Sequence, residues 1–114
     1  MTWKIVWYEN LNGSSPVRSF VDSLDPKTKS RVISTVDLLE KYGVRIGRPY
    51  SKKLTGYNLW ELRILGQANI RIFYVAVVNQ TFVLLHGFIK KKQKTDKKEI
   101  KTAVSRLQNY KNRA

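Results

Sequence analysis

The tightest constraint on this chain lies in its middle. Three apolar, β-rich runs, Leu59–Leu65, Ile70–Val78 and Phe82–Ile89, follow one another with only a few residues between them. Connections that short leave no room for a crossover helix, so the runs pair as antiparallel hairpins. The first turn is expected near Gly66–Gln67. A three-stranded meander follows, and its apolar faces need a second layer.

The flanking segments supply that layer. Residues 3–9 are aromatic and β-branched and read as a further strand. Ser15-Pro16 is a helix start, with Ser as N-cap and Pro at the first helical position. Val17, Phe20, Val21 and Leu24 then recur at helical spacing. Asp25-Pro26 repeats the start signal for a second helix that runs to about Tyr42 and stops at Gly43. Residues 44–58 hold Gly47, Pro49, Gly56 and Asn58 and read as a basic loop. A last helix opens at Asp96, with Glu99 placed as its capping-box partner. The expected order is β-α-α-β-β-β-α. This is an α+β fold with a small, mainly antiparallel four-stranded sheet, an N-terminal helical hairpin and a C-terminal helix. Its 114 residues suit one domain over 1–114.

Charge narrows the partners. The formal net charge is +14, from 22 Lys/Arg against 8 Asp/Glu. Residues 1–57 carry 10 and 5 of these, residues 58–114 carry 12 and 3, so the excess lies mostly in the second half. Such a field attracts polyanions. There is no cysteine, a single histidine (His86), and no pair of carboxylates at a metal-binding spacing. That composition argues against a zinc or two-metal centre and implies no cofactor. No Gly-rich phosphate loop follows a strand, and no nucleophile elbow is present. No apolar run reaches transmembrane length, and the first residues read as a strand rather than a signal peptide. The expected location is the cytoplasm, with no membrane partner.

Candidate chemistry gathers where strands end in cations. The run 84–95 leaves an apolar strand and delivers Lys90, Lys91, Lys92 and Lys94. It is either a solvated turn or a rigidly supported phosphate contact. Alternation in Trp60–Ile64 places Glu61 and Arg63 together, opposite Trp60, Leu62 and Ile64. Glu61 is then an ion-pair partner or a proton acceptor. Arg71 is expected to face Arg63 or its neighbour, and two such cations require an anion between them. Tyr74 reads as a core tyrosine. His86 is structural or a proton carrier. Phe88 is placed by alternation with Phe82, Leu84 and His86, either in the core or stacked on a base.

Taken together, Lys53-Leu54, Leu59-Trp60-Glu61-Leu62-Arg63, Arg71-Ile72-Phe73-Tyr74, the string from Leu84 to Lys91, Gln93-Lys94-Thr95 and the basic helix resemble a known series. The resemblance is to the RelE/HigB-like toxins of type II toxin–antitoxin systems, in the RelE/ParE superfamily, and to their phage-derived branch. It covers roughly residues 3–110. It implies a metal-independent endoribonuclease that cuts mRNA in the ribosomal decoding site. It also implies a cognate antitoxin, a helix-turn-helix protein of the HigA kind. The ribose 2′-OH would attack the adjacent phosphate, leaving a 2′,3′-cyclic phosphate and a 5′-OH. By position, Arg71 stabilises charge on the phosphate and Lys91 serves the phosphate or the leaving oxygen. Arg63 stands where better-known members are basic, and Lys94 lies near where some carry a catalytic tyrosine. Lys52, Lys53, Lys90, Lys92 and Phe88 are the expected RNA contacts. The chain departs from the pattern at Glu61, where better-known members place a lysine as base, and in having no tyrosine between Phe88 and Tyr110. Lys53, Lys91 and His86 are the alternative proton carriers. Two other readings stay open: a ParE-like gyrase poison, and a non-enzymatic basic nucleic-acid-binding module.

Overall fold

The computed structural model describes residues 2–66 and 69–113. The turn expected near Gly66–Gln67 therefore falls partly outside the described residues. Along the chain come β1 (Lys4–Trp7), α1 (Pro16–Asp22), α2 (Pro26–Tyr42), a 3-10 turn (Gly43–Arg45), β2 (Ser51–Lys53), β3 (Trp60–Arg63), β4 (Ile70–Val77), β5 (Thr81–Ile89) and α3 (Lys97–Lys111).

The helix starts follow local chemistry. The Ser15 hydroxyl accepts the Arg18 N–H at 3.2 Å. Asp25 accepts the Thr28 N–H at 3.2 Å and its hydroxyl at 2.6 Å. Asp96 accepts the Lys98 N–H at 3.0 Å. Each satisfies a donor that the first turn would leave unpaired. The capping box expected of Glu99 gives way to another partner, because its carboxylate turns to His86 at 2.9 Å. Gly43 ends α2 at φ 60°, where the Trp3 indole lies against its Cα and leaves no room for a Cβ.

Among the described residues the sheet has five strands, in the order β1-β5-β4-β3-β2. β1 runs parallel to β5 and every other pair is antiparallel, so the sheet is mixed. This corrects the expected four-stranded sheet, and the 3-10 turn and β2 extend the expected element order. The extra strand, β2, lies inside the expected loop. Ser51-Lys52-Lys53 shows no apolar alternation, because β2 is an edge strand with both lysines exposed. It is held by pairing with β3, Lys52 opposite Glu61 and Lys53 opposite Trp60. Its buried Ser51 hydroxyl meets the Tyr74 hydroxyl, so Tyr74 is a core tyrosine with a satisfied oxygen.

A bulge in β5 decides which side chains face which layer. Phe73 pairs with His86, but Tyr74 pairs with Leu84, leaving Leu85 as an extra residue. Side-chain alternation therefore changes phase at Leu85. His86 and Phe88 point away from the face that holds Phe82 and Leu84, contrary to the simple alternation read from sequence. Gly87 turns toward α1, where Phe20 covers it, and His86 turns toward α3, where Glu99 and Arg106 meet it. The helical hairpin and α3 consequently cover opposite faces. Buried Val17, Val21, Val32, Val36 and Leu39 line one helix layer, and Ile100, Ala103 and Leu107 the other.

Gly87 permits the close approach of α1. A Cβ there would lie 2.6 Å from Phe20 Cδ2. Gly87→Ala is expected to destabilise the fold by about 1–3 kcal/mol through overpacking. Urea denaturation checks this.

Candidate functional site

The β3–β4 register sets Arg63 directly opposite Arg71. The anion that such a pair requires is supplied by the protein itself. Glu61 lies two residues before Arg63, hence on the same face. Its Oε1 is 3.4 Å from Arg63 Nε and 3.5 Å from Arg71 Nε. Glu61 is only 4% exposed, so this is a buried carboxylate held between two guanidinium groups. The contact to Arg63 is a long hydrogen bond, whereas Arg71 Nε is buried without a hydrogen-bond partner and is attracted through charge alone. Arg71 also donates from Nη1 to the Ile70 carbonyl at 3.1 Å. Burial pulls the Arg71 pKa below its ordinary value, with Glu61 opposing the shift and Arg63 adding to it. A guanidinium stays charged regardless. The side chain of Arg71 is 15% exposed and that of Arg63 33%, so Arg63 presents itself and Arg71 backs it.

In front of Arg63 lies a groove of about 560 Å³. One wall is β2 and its turn, with Lys52, Lys53, Leu54, Thr55 and Tyr57. The floor takes Glu61 and Arg63 from β3. The other wall is the segment after β5 and the start of α3, with Lys90, Gln93, Lys94, Thr95, Lys97 and Ile100. Among the described residues six cations line it, and the only carboxylate is the one already paired with arginine. A half-enclosed groove of one sign focuses the field on an entering anion. A smaller hollow of about 190 Å³ adjoins it, with Lys91, Lys92, Asp96 and Glu99 among its lining. Lys90 and Lys94 line both.

The residues singled out from sequence thus divide. Lys52, Lys53, Glu61, Arg63, Lys90 and Lys94 meet in the groove. Lys91 and Lys92 belong to the adjoining hollow, and Arg71 stands behind Glu61. Phe88 corrects the expectation of a base-stacking residue. It is 5% exposed, its ring 5.0 Å from that of Phe73 and stacked on His86 at 5.4 Å. The bulge turned it into the layer beneath α3, away from solvent. Sequence reading missed Lys97 and Tyr57. Lys97 was legible as the first residue after the Asp96 N-cap. Tyr57 was hidden in an apparent loop, where a turn closes from the Tyr57 N–H to the Leu54 carbonyl at 3.2 Å around Gly56 at φ 86°.

His86 is committed elsewhere. Arg106 Nη1 lies 3.2 Å from its Nδ1 and also donates to the Leu85 carbonyl at 3.0 Å. Arginine can only donate, so Nδ1 accepts and the proton sits on Nε2, which donates to Glu99 Oε1 at 2.9 Å. Burial holds the imidazole below its ordinary pKa, Glu99 raises it and Arg106 lowers it. Both nitrogens of this neutral ring are occupied, and it ties β5 to the first turn of α3.

Among the described residues, no three His, Cys, Asp or Glu side chains come together as a metal site. Nor is any helix there long and apolar enough to cross a membrane. Fold and groove together define a small basic α+β protein with a cation-lined groove suited to a polyanion. The family described as "Phage derived protein Gp49-like (DUF891)" matches residues 19–108, and the chain belongs to that family. The family is associated with the toxins of toxin–antitoxin systems. No curated protein shows significant similarity to the chain.

The His86 arrangement sets a pH dependence. A His pKa lowered by folding means that the unfolded chain binds more protons below its ordinary value of 6.5. The contribution to stability is therefore full above that value and is lost as pH falls toward the folded pKa. Thermal unfolding from pH 8 to pH 5 is expected to show a falling midpoint, with a shallower fall in His86→Gln.

Proposed function

We propose that this chain is the toxin of a type II toxin–antitoxin pair of the RelE/HigB kind. In this reading it is a metal-independent, ribosome-dependent endoribonuclease that cleaves mRNA and so inhibits translation. The supporting observation is the groove, in which five lysines surround an arginine fixed from behind by a buried carboxylate. A phosphodiester entering it gains positive charge on rigid strands and on the segment leading into α3. The family's association with toxins supports the same reading.

The chemistry in this reading is the one that the RelE/HigB resemblance implies. The 2′-OH attacks the adjacent phosphorus, a base takes its proton, and the 5′ oxygen leaves with a proton from an acid. Negative charge grows on the non-bridging oxygens, and Arg63, Lys90 and Lys94 stabilise it electrostatically. Arg71 and Glu61 act as positioning residues that hold Arg63. Glu61 is engaged by two arginines and is assigned no proton transfer. His86 has both nitrogens bonded. Of the remaining candidates, Lys53 faces the groove and Lys91 the adjoining hollow, so Lys53 is assigned the proton transfer at the 2′-OH. Lys52, Lys92 and the basic face of α3 hold mRNA or ribosomal RNA through phosphates. A helix-turn-helix antitoxin of the HigA kind neutralises the protein, which acts in the cytoplasm as one domain.

Lys90→Ala with Lys94→Ala is expected to lower cleavage by about 10²–10³-fold, because each lysine acts on charge that develops in the transition state. Mapping RNA 5′ ends after induction checks this. New 5′-OH ends should appear on translated messages with the unmodified chain, vanish when initiation is blocked, and be lost in the double variant. Circular dichroism should show the variant folded.

A further inference from the structure

The cation-lined groove does not end at α3. Beyond Tyr57 it opens into a trough of about 570 Å³ along the outer face of α3, and Tyr57, Lys97 and Ile100 line both. Ile100, Val104 and Gln108 follow at four-residue spacing, so they form one ridge along its floor. Val104 is an exposed apolar residue. Gln108 and Asn109 add amides that both donate and accept. At the junction stands the Tyr57 ring, 41% exposed and held at the tip of the β2–β3 connection by the Gly56 turn. A cation-lined groove on one side of an exposed ring, with a trough on the other that adds apolar and amide groups to Lys97 and Lys101, matches the two halves of a nucleotide and the phosphate that follows it. The phosphate takes the cations, and the base takes the ring and the amides.

We propose that Tyr57 is the stacking platform for a nucleobase next to the phosphate bound in the groove. The α3 trough, through Gln108 and Asn109, then takes the following base of a single strand. This assignment rests on the RNA-cleaving reading of the groove and names the form of its substrate: unpaired RNA, with at least one base on either side of Tyr57. A paired base has its faces covered by its neighbours and cannot stack on the ring. Sequence preference, where the protein has one, is then set in the α3 trough by amide contacts to a base edge.

The test is binding, kept apart from cleavage. Fluorescence anisotropy is measured with a six-nucleotide 2′-O-methyl RNA, which lacks the attacking hydroxyl, with a duplex of the same sequence, and with inorganic polyphosphate as competitor. Tyr57→Ala is expected to weaken the hexamer about 5- to 150-fold, and Tyr57→Phe to stay within about twofold of the unmodified protein. The inhibition constant of polyphosphate should be unchanged by either. Gln108→Ala with Asn109→Ala should weaken the hexamer by more than a dinucleotide that fills only the groove. The assignment is overturned if Tyr57→Ala binds the hexamer within about twofold of the unmodified protein, if it loses hexamer and polyphosphate equally, or if duplex binds as tightly as single strand. Tyr57-dependent binding in a protein that cuts no RNA would support this site while removing the nuclease reading.

Discussion

A buried carboxylate between two arginines organises this structure. Glu61 alone would be costly to bury, and Arg63 facing Arg71 alone would repel. Placed together, each removes the other's penalty. The arrangement also pins the β3–β4 register. A slip of one residue would turn Glu61 toward the helical hairpin and leave both guanidinium groups unbalanced. What faces outward is a cationic arginine on a rigid strand, without the rotamer freedom of a surface side chain. That rigidity is what a phosphate contact gains from being built on a sheet.

The second requirement is a wall opposite the sheet, and the bulge at Leu85 provides for it. By changing the phase of β5, it sends Gly87 to Phe20 of α1 and His86 to Glu99 and Arg106 of α3. The hairpin and α3 can then pack on opposite faces of the same strand. The His86–Glu99 bond holds the first turn of α3 in place, and with it Lys94, Thr95 and Lys97 along the groove. Glu99 was available for this because Asp96 caps the helix alone. A local interaction was exchanged for a tertiary one, and the groove's second wall depends on it.

Much of this was legible in the residues. Short connections fixed the meander, Ser15-Pro16 and Asp25-Pro26 marked both helices of the hairpin, and the lysines after Ile89 marked the basic wall. Alternation correctly put Glu61 beside Arg63. The failures share a cause, since each turned on a detail of backbone pairing or tertiary contact that the apolar pattern does not carry. β2 has no apolar pattern because an edge strand needs only one neighbour. Phe88 was misplaced because a bulge leaves no trace in a run of apolar residues. Glu99 matched a capping box, but His86 offered it a buried partner. Tyr57 lay in a segment rich in turn residues, and only the folded hairpin shows that the turn aims it at the groove.

The central claim is that the sheet-borne Arg63 and the lysines after β5 together receive a phosphodiester. Its most direct test is nuclear magnetic resonance of the arginine Nε–Hε and lysine side-chain signals during titration with a non-cleavable 2′-O-methyl trinucleotide. The account predicts that Arg63, Lys90 and Lys94 shift together, with Arg106 and Arg113 unmoved. Shifts confined to Arg18 and Arg31 on the helical hairpin, with Arg63 unchanged at saturation, would contradict it.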